Sequence, residues 1–216
     1  MKMVKSSFGD HIDTIQVINH AARSGLGEDC FFCAQSDESA VVCVLDGCGG
    51  LGARKYDSFQ GHTGGYIASR SVAGAICDWY KEKNSLKWGN QGKNLDGLRQ
   101  YIMEAYKVSS QYAIERMKIS GSMVRKFPTT IAFAYTEIVD DDIMVHIVWA
   151  GDSRVYLLDY NGLAQLTKDD TEVEDALDNL TSDAPMMNVL SADGEFELNY
   201  KAFRLSHPAL IFAATD

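Results

Sequence analysis

Short runs of β-branched, aromatic and other apolar residues, separated by polar turns, occupy most of the chain outside one central stretch. Runs of this kind, bounded by turn residues, are typical of strands. The predicted strands are Ile12–Ile18, Cys30–Ala34, Ala40–Leu45, Thr129–Ile138, Ile143–Ala150, Val155–Leu158, Leu163–Leu166, Phe196–Leu205 and Ala209–Ala214. The pattern therefore predicts a chain dominated by β-structure.

The central stretch changes to a helical period. Gly65–Lys83 and Leu95–Lys118 carry apolar side chains three and four positions apart, which is the spacing of one face of a helix. The polar segment Asn84–Asn94 separates them. We predict two successive amphipathic helices inserted between strands, and a short capped helix or flap over the acid-rich Asp169–Asp183.

Two polar turns predict antiparallel hairpins. Asn161-Gly162 supplies the residues of a tight turn, and Val139–Asp142 joins two runs of β-branched and aromatic residues. Antiparallel sheets with an inserted helix pair define an α+β fold. Because no linker or internal repeat interrupts the chain, we expect residues 1–216 to form a single domain.

The charge balance narrows the range of partners. Lys and Arg total 20 against 30 Asp and Glu, which gives a net charge of −10. An acidic chain without a long basic run does not suit nucleic acid or an anionic membrane surface. Its apolar runs are far shorter than the roughly 20 residues of a membrane-spanning helix. The charged N-terminus precedes no apolar run, so we expect no signal peptide and a cytoplasmic protein.

Cysteines and histidines offer little chemistry of their own. Five cysteines, an odd number, do not resemble a disulfide framework. Cys30 and Cys33 form a Cys-x-x-Cys motif, but residues three apart on a strand face opposite sides, and no second pair completes a zinc site. His146 alternates with apolar residues in a predicted strand. We therefore interpret all three as structural residues.

Acidic residues stand repeatedly at the ends of predicted strands. Glu28 and Asp29 precede one strand, whereas Asp46, Asp152 and Asp216 each follow the apolar end of another. A carboxylate at the mouth of a buried sheet is half desolvated and is a natural ligand for a hard divalent cation. A single such residue is an ordinary turn or cap, so turn residues and a metal site both stay open at this point.

The glycines after Asp46 support a metal site over an ordinary turn. In the run Asp46–Ala53, the small residues allow a sharp turn that exposes a backbone carbonyl as a further oxygen ligand. A phosphate-binding loop is the rival interpretation. The chain has neither G-x-x-x-x-G-K-[ST] nor G-x-G-x-x-G at a strand-to-helix turn, which weakens the case for a nucleotide site.

Six short motifs follow one another in order along nearly the whole chain. They are Arg23 with Glu28-Asp29, Val44–Gly50, Phe127–Thr130, Gly151–Tyr156, Leu166–Thr171 and Ala214–Asp216. In these motifs the chain resembles the PP2C-type metal-dependent serine/threonine protein phosphatases, the PPM family. The resemblance implies an α-β-β-α sandwich, with two antiparallel sheets flanked by helix pairs, in agreement with the pattern above.

The resemblance also implies a reaction. Members of this family hydrolyse phosphoserine and phosphothreonine in phosphoprotein substrates through a water that bridges two Mn²⁺ or Mg²⁺ ions. By position in the motifs, Asp46 would bridge both ions and Asp216 would bind one of them. Glu28 and the Gly47 carbonyl would complete the coordination of the other.

Three further residues receive roles from the same motifs. Asp29 would orient the waters of the metal site, and Arg23 would bind the substrate phosphate with its planar fork of donors. Asp152 would contribute to a weaker third metal site together with Asp216. The Ser153-Arg154 pair is predicted to be structural.

The chain departs from the family pattern at several places, among them an interval from Arg23 to Glu28 that is one residue longer than the common spacing. Cys48 stands where many eukaryotic members carry a His proposed as general acid, so protonation of the leaving group would come from water or elsewhere. Asp170 replaces the usual His of its motif. The chain ends at Asp216, so we expect the C-terminal part of the family fold to be absent. A catalytically weak or inactive phosphatase-like binding or regulatory module is therefore the alternative function. We expect the chain to be a monomer or a weak dimer.

Overall fold

The computed structural model describes residues 15–18, 27–83, 88, 91–113, 125–140, 142–170 and 188–215. In this part of the chain four strands come first, two helices follow, and six further strands complete the order. They are β1 (Cys30–Gln35), β2 (Ser39–Leu45), β3 (Lys55–Tyr56), β4 (His62–Thr63), α1 (Gly64–Lys83), α2 (Gln91–Tyr112), β5 (Ile131–Val139), β6 (Asp142–Ala150), β7 (Arg154–Asp159), β8 (Gly162–Gln165), β9 (Asn199–Leu205) and β10 (Leu210–Ala214).

All strand pairs in the described residues are antiparallel, and they form three sheets. The large sheet has five strands in the order β1-β2-β5-β6-β9. A second sheet has the order β10-β7-β8, and β3 pairs with β4 in a small hairpin. This arrangement confirms the predicted antiparallel α+β architecture.

The helix pair covers one face of the large sheet. The indole of Trp79 on α1 is buried and contacts the rings of Phe133 and Tyr135 on β5, with centroids 5.7 and 5.8 Å apart. Trp88 packs edge-on against Trp79 at 5.4 Å. Burial of large aromatic side chains is the main source of stability in such a layer.

The other face of the large sheet packs on the second sheet. Ala132, Ala134 and Ile147 of the large sheet form one apolar cluster with Val155 of β7 and Ile211 of β10. The described residues therefore form helix, sheet and sheet layers. Neither described helix combines the length and apolar character that crossing a membrane requires.

Both predicted hairpins are confirmed. Asp159 pairs with Gly162, which adopts φ 113°, a value that glycine tolerates at no steric cost. Val139 pairs with Asp142, and Asp140 between them adopts φ 50°. Aspartate is one of the few non-glycine residues that enter this region readily, which explains the acidic turn.

The element bounds differ from the prediction in a few places. Helix α2 starts at Gln91 and the residue after Tyr112 is no longer helical, whereas the prediction ran from Leu95 to Lys118. The strand predicted over Ile12–Ile18 is wrong for the described residues 15–18, which join no sheet. The β3–β4 hairpin was not predicted. Most of the predicted helix or flap over Asp169–Asp183 lies outside the described residues.

The prediction that His146 is a structural residue of the sheet is confirmed. Its side chain is buried, stacks on Trp88 at 4.6 Å, and its Nδ1 lies 2.8 Å from the Tyr200 hydroxyl. Its Nε2 lies 3.3 Å from Glu137, which accepts a hydrogen bond from the Trp88 amide. All five cysteines are free thiols, and burial raises the pKa of both Cys30 and Cys33.

Candidate functional site

The antiparallel register brings the ends of four strands to one edge of the large sheet. Cys30, the first residue of β1, pairs with Leu45, the last of β2, and the first residue of β5 likewise pairs with the last of β6. The residues just beyond these ends are therefore neighbours. They are Glu28, Asp29, Asp46, Gly47, Thr129, Thr130, Gly151 and Asp152.

The backbone of Asp46 is fixed by the start of β5. Its amide donates to Thr130 Oγ1 at 3.2 Å, and its carbonyl accepts from Thr129 Oγ1 at 2.6 Å and from the Thr130 amide at 2.9 Å. The Thr130 hydroxyl in turn lies 2.6 Å from the buried Ser153 hydroxyl. Residues 46, 130 and 153 thereby link the ends of three strands, and the structural role predicted for Ser153 is confirmed.

Three glycines form a cradle around the Glu28 carboxylate, and we call Gly47, Gly49 and Gly65 the glycine cradle. A Cβ on Gly49 would lie 2.2 Å from Glu28 Oε2, and one on Gly65 would lie 2.8 Å from the same oxygen. A Cβ on Gly47 would approach the Glu28 Cβ to 2.9 Å and the Gly65 carbonyl oxygen to 2.4 Å. Only glycine at these positions leaves room for the carboxylate in its present place.

Residues of β4 and α1 hold Glu28 from the other side. The Thr63 hydroxyl donates to Glu28 Oε1, and the Ser69 hydroxyl donates to the Glu28 carbonyl. Arg70 donates to the Glu28 carbonyl at 2.9 Å and to the Gly27 carbonyl at 3.1 Å. Sequence reasoning missed these contacts, because no motif marks a side chain that binds a distant backbone carbonyl.

The Cys48 thiol lies within reach of the charges of three predicted site residues. Burial first, and then the negative charges of Asp46, Asp152 and Glu28, raise the pKa of the Cys48 thiol to about 12. The Cys48 sulfur also lies 3.8 Å from the Asp46 carbonyl oxygen. In the metal-free chain this thiol stays protonated at neutral pH. Asp29 is exposed to solvent at the same edge of the sheet.

The turn that carries Asp152 is held by Asp170. The Asp170 carboxylate accepts hydrogen bonds from the Gly151 amide at 3.1 Å, from Asn188 at 2.8 Å and from Asn199 at 2.9 Å. Its own amide donates to the Gly151 carbonyl at 3.0 Å. The residue that replaces the family's histidine is therefore the centre of a hydrogen-bond network beside the site.

Removal of the Asp170 carboxylate is expected to destabilise the fold. We expect Asp170→Ala to lower the free energy of unfolding by about 2–3 kcal/mol, since hydrogen bonds to a charged group are worth roughly 1.5–3 kcal/mol and do not add fully. Urea unfolding followed by circular dichroism measures the change. Asp193→Ala, at an exposed residue, is the control and should stay within about 0.5 kcal/mol of wild type. Equal stability of the two variants would contradict the role of Asp170.

Next to Asp170 in the sequence, Asp169 forms a bidentate ion pair with Arg154. Arg154 donates from Nε to Asp169 Oδ1 at 3.0 Å and from Nη2 to Asp169 Oδ2 at 2.6 Å. Hydrogen bonding to this carboxylate raises the pKa of the Arg154 guanidinium. Arg154 is thus committed to an internal contact, as predicted, and is not a candidate to bind phosphate.

The donors at this edge fit a hard divalent cation in their chemistry. Carboxylate and carbonyl oxygens are the ligands that Mg²⁺ and Mn²⁺ prefer, and the glycine cradle holds the Glu28 carboxylate at the end of the sheet where the strand-end acids lie. Among the residues that the structure describes, no three Asp, Glu, His or Cys side chains surround a single ion position. Arg23 and Asp216, both predicted site residues, lie outside the described residues.

Comparison with known proteins decides the family. The sequence pattern of protein phosphatase 2C matches residues 19–216. The chain belongs to the protein phosphatase 2C family. The serine/threonine phosphatase stp of Listeria welshimeri is 31% identical over 141 residues, which are 65% of this chain and 47% of that protein. The stp of Listeria monocytogenes is 30% identical over the same length. The chain thus spans about half the length of these relatives.

Solved structures show the same fold. The catalytic domain of the serine/threonine protein phosphatase PstP, in complex with two manganese ions, has a TM-score of 0.57 at 21% identity and covers 88% of this chain and 71% of its own. The serine/threonine phosphatase Stp1 of Staphylococcus aureus has a TM-score of 0.58 at 14% identity and covers 94% and 70%. These likenesses confirm the protein phosphatase 2C fold that the motifs indicated.

Proposed function

We propose that this protein phosphatase 2C chain is a metal-dependent protein phosphatase that hydrolyses phosphoserine and phosphothreonine. The observation that carries the proposal is the register of the large sheet, which sets Glu28 before β1, Asp46 after β2 and Asp152 after β6 at the same end of paired strands, with the Glu28 carboxylate in the glycine cradle. Carboxylates gathered at one end of a sheet repel one another, and a divalent cation is the natural counter-charge for them. Family membership supports the choice of a phosphomonoester as substrate.

The residues present are suited to hold two cations. Glu28, Asp46 and the Gly47 carbonyl would hold one, and Asp46 with Asp216 would hold the other. Asp152, again with Asp216, would contribute to a weaker third site. Bound Mn²⁺ or Mg²⁺ would supply the Lewis acidity that activates a water molecule and neutralises charge on the phosphoryl oxygens.

The rest of the site binds and orients. Arg23 would bind the substrate phosphate through two parallel hydrogen bonds. Asp29, which is exposed, would orient the waters of the metal site. The hydroxyls of Thr129 and Thr130 hold the Asp46 backbone, so that its carboxylate leaves the sheet at a fixed point. A site fixed by strands in this way is preorganised for substrate, which is where much of an enzyme's rate acceleration originates.

Hydrolysis of a phosphothreonine peptide tests the proposal. The chain is freed of metal with a chelator, dialysed, and assayed for inorganic phosphate with and without added MnCl₂. We expect phosphate release that rises with Mn²⁺, saturates, and stops again when excess chelator is added. Manganese is the first choice because the related PstP domain holds two manganese ions.

An aryl phosphate and a phosphotyrosine peptide complete the experiment. The aryl phosphate tests the chemistry without peptide recognition, and we expect the phosphotyrosine peptide to be hydrolysed more slowly than the phosphothreonine peptide. Absence of Mn²⁺-dependent hydrolysis with all three substrates would contradict the proposal. Tight Mn²⁺ binding without hydrolysis would instead indicate a phosphatase-like binding or regulatory module.

A further inference from the structure

The β3–β4 hairpin places one hydroxyl directly against the proposed metal site. Tyr56 of β3, next to the turn, is buried against the ring of Phe127, with centroids 5.0 Å apart. Tyr56 pairs with His62, so that Thr63 is the next residue along β4 and the last before α1. The hairpin therefore presents Thr63 at the N-terminus of a long helix, one residue along β4 from the pair that Tyr56 anchors in the core.

Thr63 makes two hydrogen bonds through one oxygen. Its hydroxyl accepts from the Tyr66 amide at 3.2 Å, which satisfies one of the free amides in the first turn of α1. The same hydroxyl donates to Glu28 Oε1. Because an ionised carboxylate can only accept a hydrogen bond and the Tyr66 amide can only donate one, the hydroxyl hydrogen points to Glu28. Thr63 thus connects the N-terminus of α1 to Glu28.

The remaining atoms of Glu28 are held by other parts of the same helix. Arg70 lies over the Tyr66 ring at 3.6 Å and donates to the Glu28 carbonyl at 2.9 Å. Oxygen Oε2 faces Gly49 and Gly65 in the glycine cradle. The backbone of Glu28 and one of its two carboxylate oxygens are therefore fixed from α1 and β4, while the second oxygen faces the glycines.

We propose that Thr63 is a positioning residue that orients the Glu28 carboxylate for metal binding. The inference rests on the proposed function, because it takes Glu28 to be a ligand. A ligating carboxylate with three rotatable bonds loses conformational entropy when it binds an ion, and a hydrogen bond that holds it in place beforehand reduces that loss. Partners of this kind typically change metal affinity by about 10- to 100-fold.

The test is calorimetric titration of the metal-free chain with MnCl₂. We expect Thr63→Val, which keeps the size of the side chain and removes the hydroxyl, to weaken Mn²⁺ binding by about 10- to 100-fold. Thr63→Ser retains the hydroxyl and should stay within about threefold of wild type, a change of less than 1 kcal/mol. Thr63→Ala provides a second loss of the hydroxyl, without a methyl group against the carboxylate, in case the valine variant does not fold.

A matched control separates positioning from a general effect of losing a hydroxyl. Thr136 on β5 donates to the Ala40 carbonyl, which lies at the opposite end of β2 from Asp46. Thr136→Val should leave the Mn²⁺ affinity unchanged. Circular dichroism and thermal unfolding without metal accompany each titration and show that the variants fold.

The outcomes distinguish the inference from the proposed function. If Thr63 only caps the helix, its loss lowers stability and leaves Mn²⁺ affinity as in wild type, and that result overturns the inference. Equal weakening in Thr63→Val and Thr63→Ser also overturns it, because the hydroxyl would then be irrelevant. If the wild-type chain binds no Mn²⁺, the proposed metal site fails, and the positioning role fails with it.

Discussion

Gly49→Ala is expected to weaken Mn²⁺ binding by about a hundredfold and to leave the fold intact. The added methyl carbon would lie 2.2 Å from Glu28 Oε2, well inside van der Waals contact, so the carboxylate must leave its place. That carboxylate is the end of a flexible side chain, which can rotate away at little expense in folding free energy. Loss of a positioning partner changes affinity by about 10- to 100-fold, and displacement of the ligand itself belongs at the upper end of that range.

Gly50→Ala is the matched control for this result. A Cβ on Gly50 would meet nothing within 4 Å, and the residue is exposed. The free energy of unfolding of both variants should lie within about 1 kcal/mol of the wild-type value, since neither glycine has a positive φ. Calorimetric titration with MnCl₂ and urea unfolding separate binding from stability. A Gly49→Ala chain with wild-type Mn²⁺ affinity would remove Glu28 from the proposed ligand set.

Local patterns were enough to predict most of the fold. The β7–β8 hairpin follows from Asn161-Gly162 between two apolar runs, because the turn and the strands agree. The β3–β4 hairpin has only two residues in each strand, too few for any periodicity. Its order depends instead on the contact of Tyr56 with Phe127, which are far apart in the chain. Residues 15–18 show the reverse case, in which alternation occurs without a neighbouring strand.

The proposed metal ligands were predictable from the sequence, whereas the residues that hold them in place were not. Glu28, Asp46 and Asp152 stand at strand ends, and an antiparallel order brings such ends together, so their proximity followed from sequence and topology. The residues that hold Glu28 were not predictable in this way. Thr63 and Arg70 are 35 and 42 residues from Glu28, and both bind it only because α1 folds against the start of β1. Long-range packing of this kind leaves no periodic signal.

Asp46→Asn is expected to abolish phosphatase activity and Mn²⁺ binding and to leave the metal-free fold intact. Asp46 is proposed to hold both cations, so that loss of its charge weakens both sites together. Its backbone contacts with Thr129 and Thr130 do not involve the side chain and should persist. We therefore expect the metal-free variant to adopt the wild-type fold.

Thermal unfolding with and without metal measures both halves of this prediction. Mn²⁺ at 100 times its dissociation constant stabilises a binding protein by about 2.7 kcal/mol, which for a chain of this size raises the Tm by about 5–10 °C. We expect this rise in wild type and none in Asp46→Asn. Asp37→Asn, an exposed acid in the turn at the opposite end of β2, is the charge-matched control and should show the full rise. A ligand stabilises the folded chain only through the contacts it makes there. If Mn²⁺ raises the Tm of Asp46→Asn as much as that of wild type, the cations are held without this carboxylate.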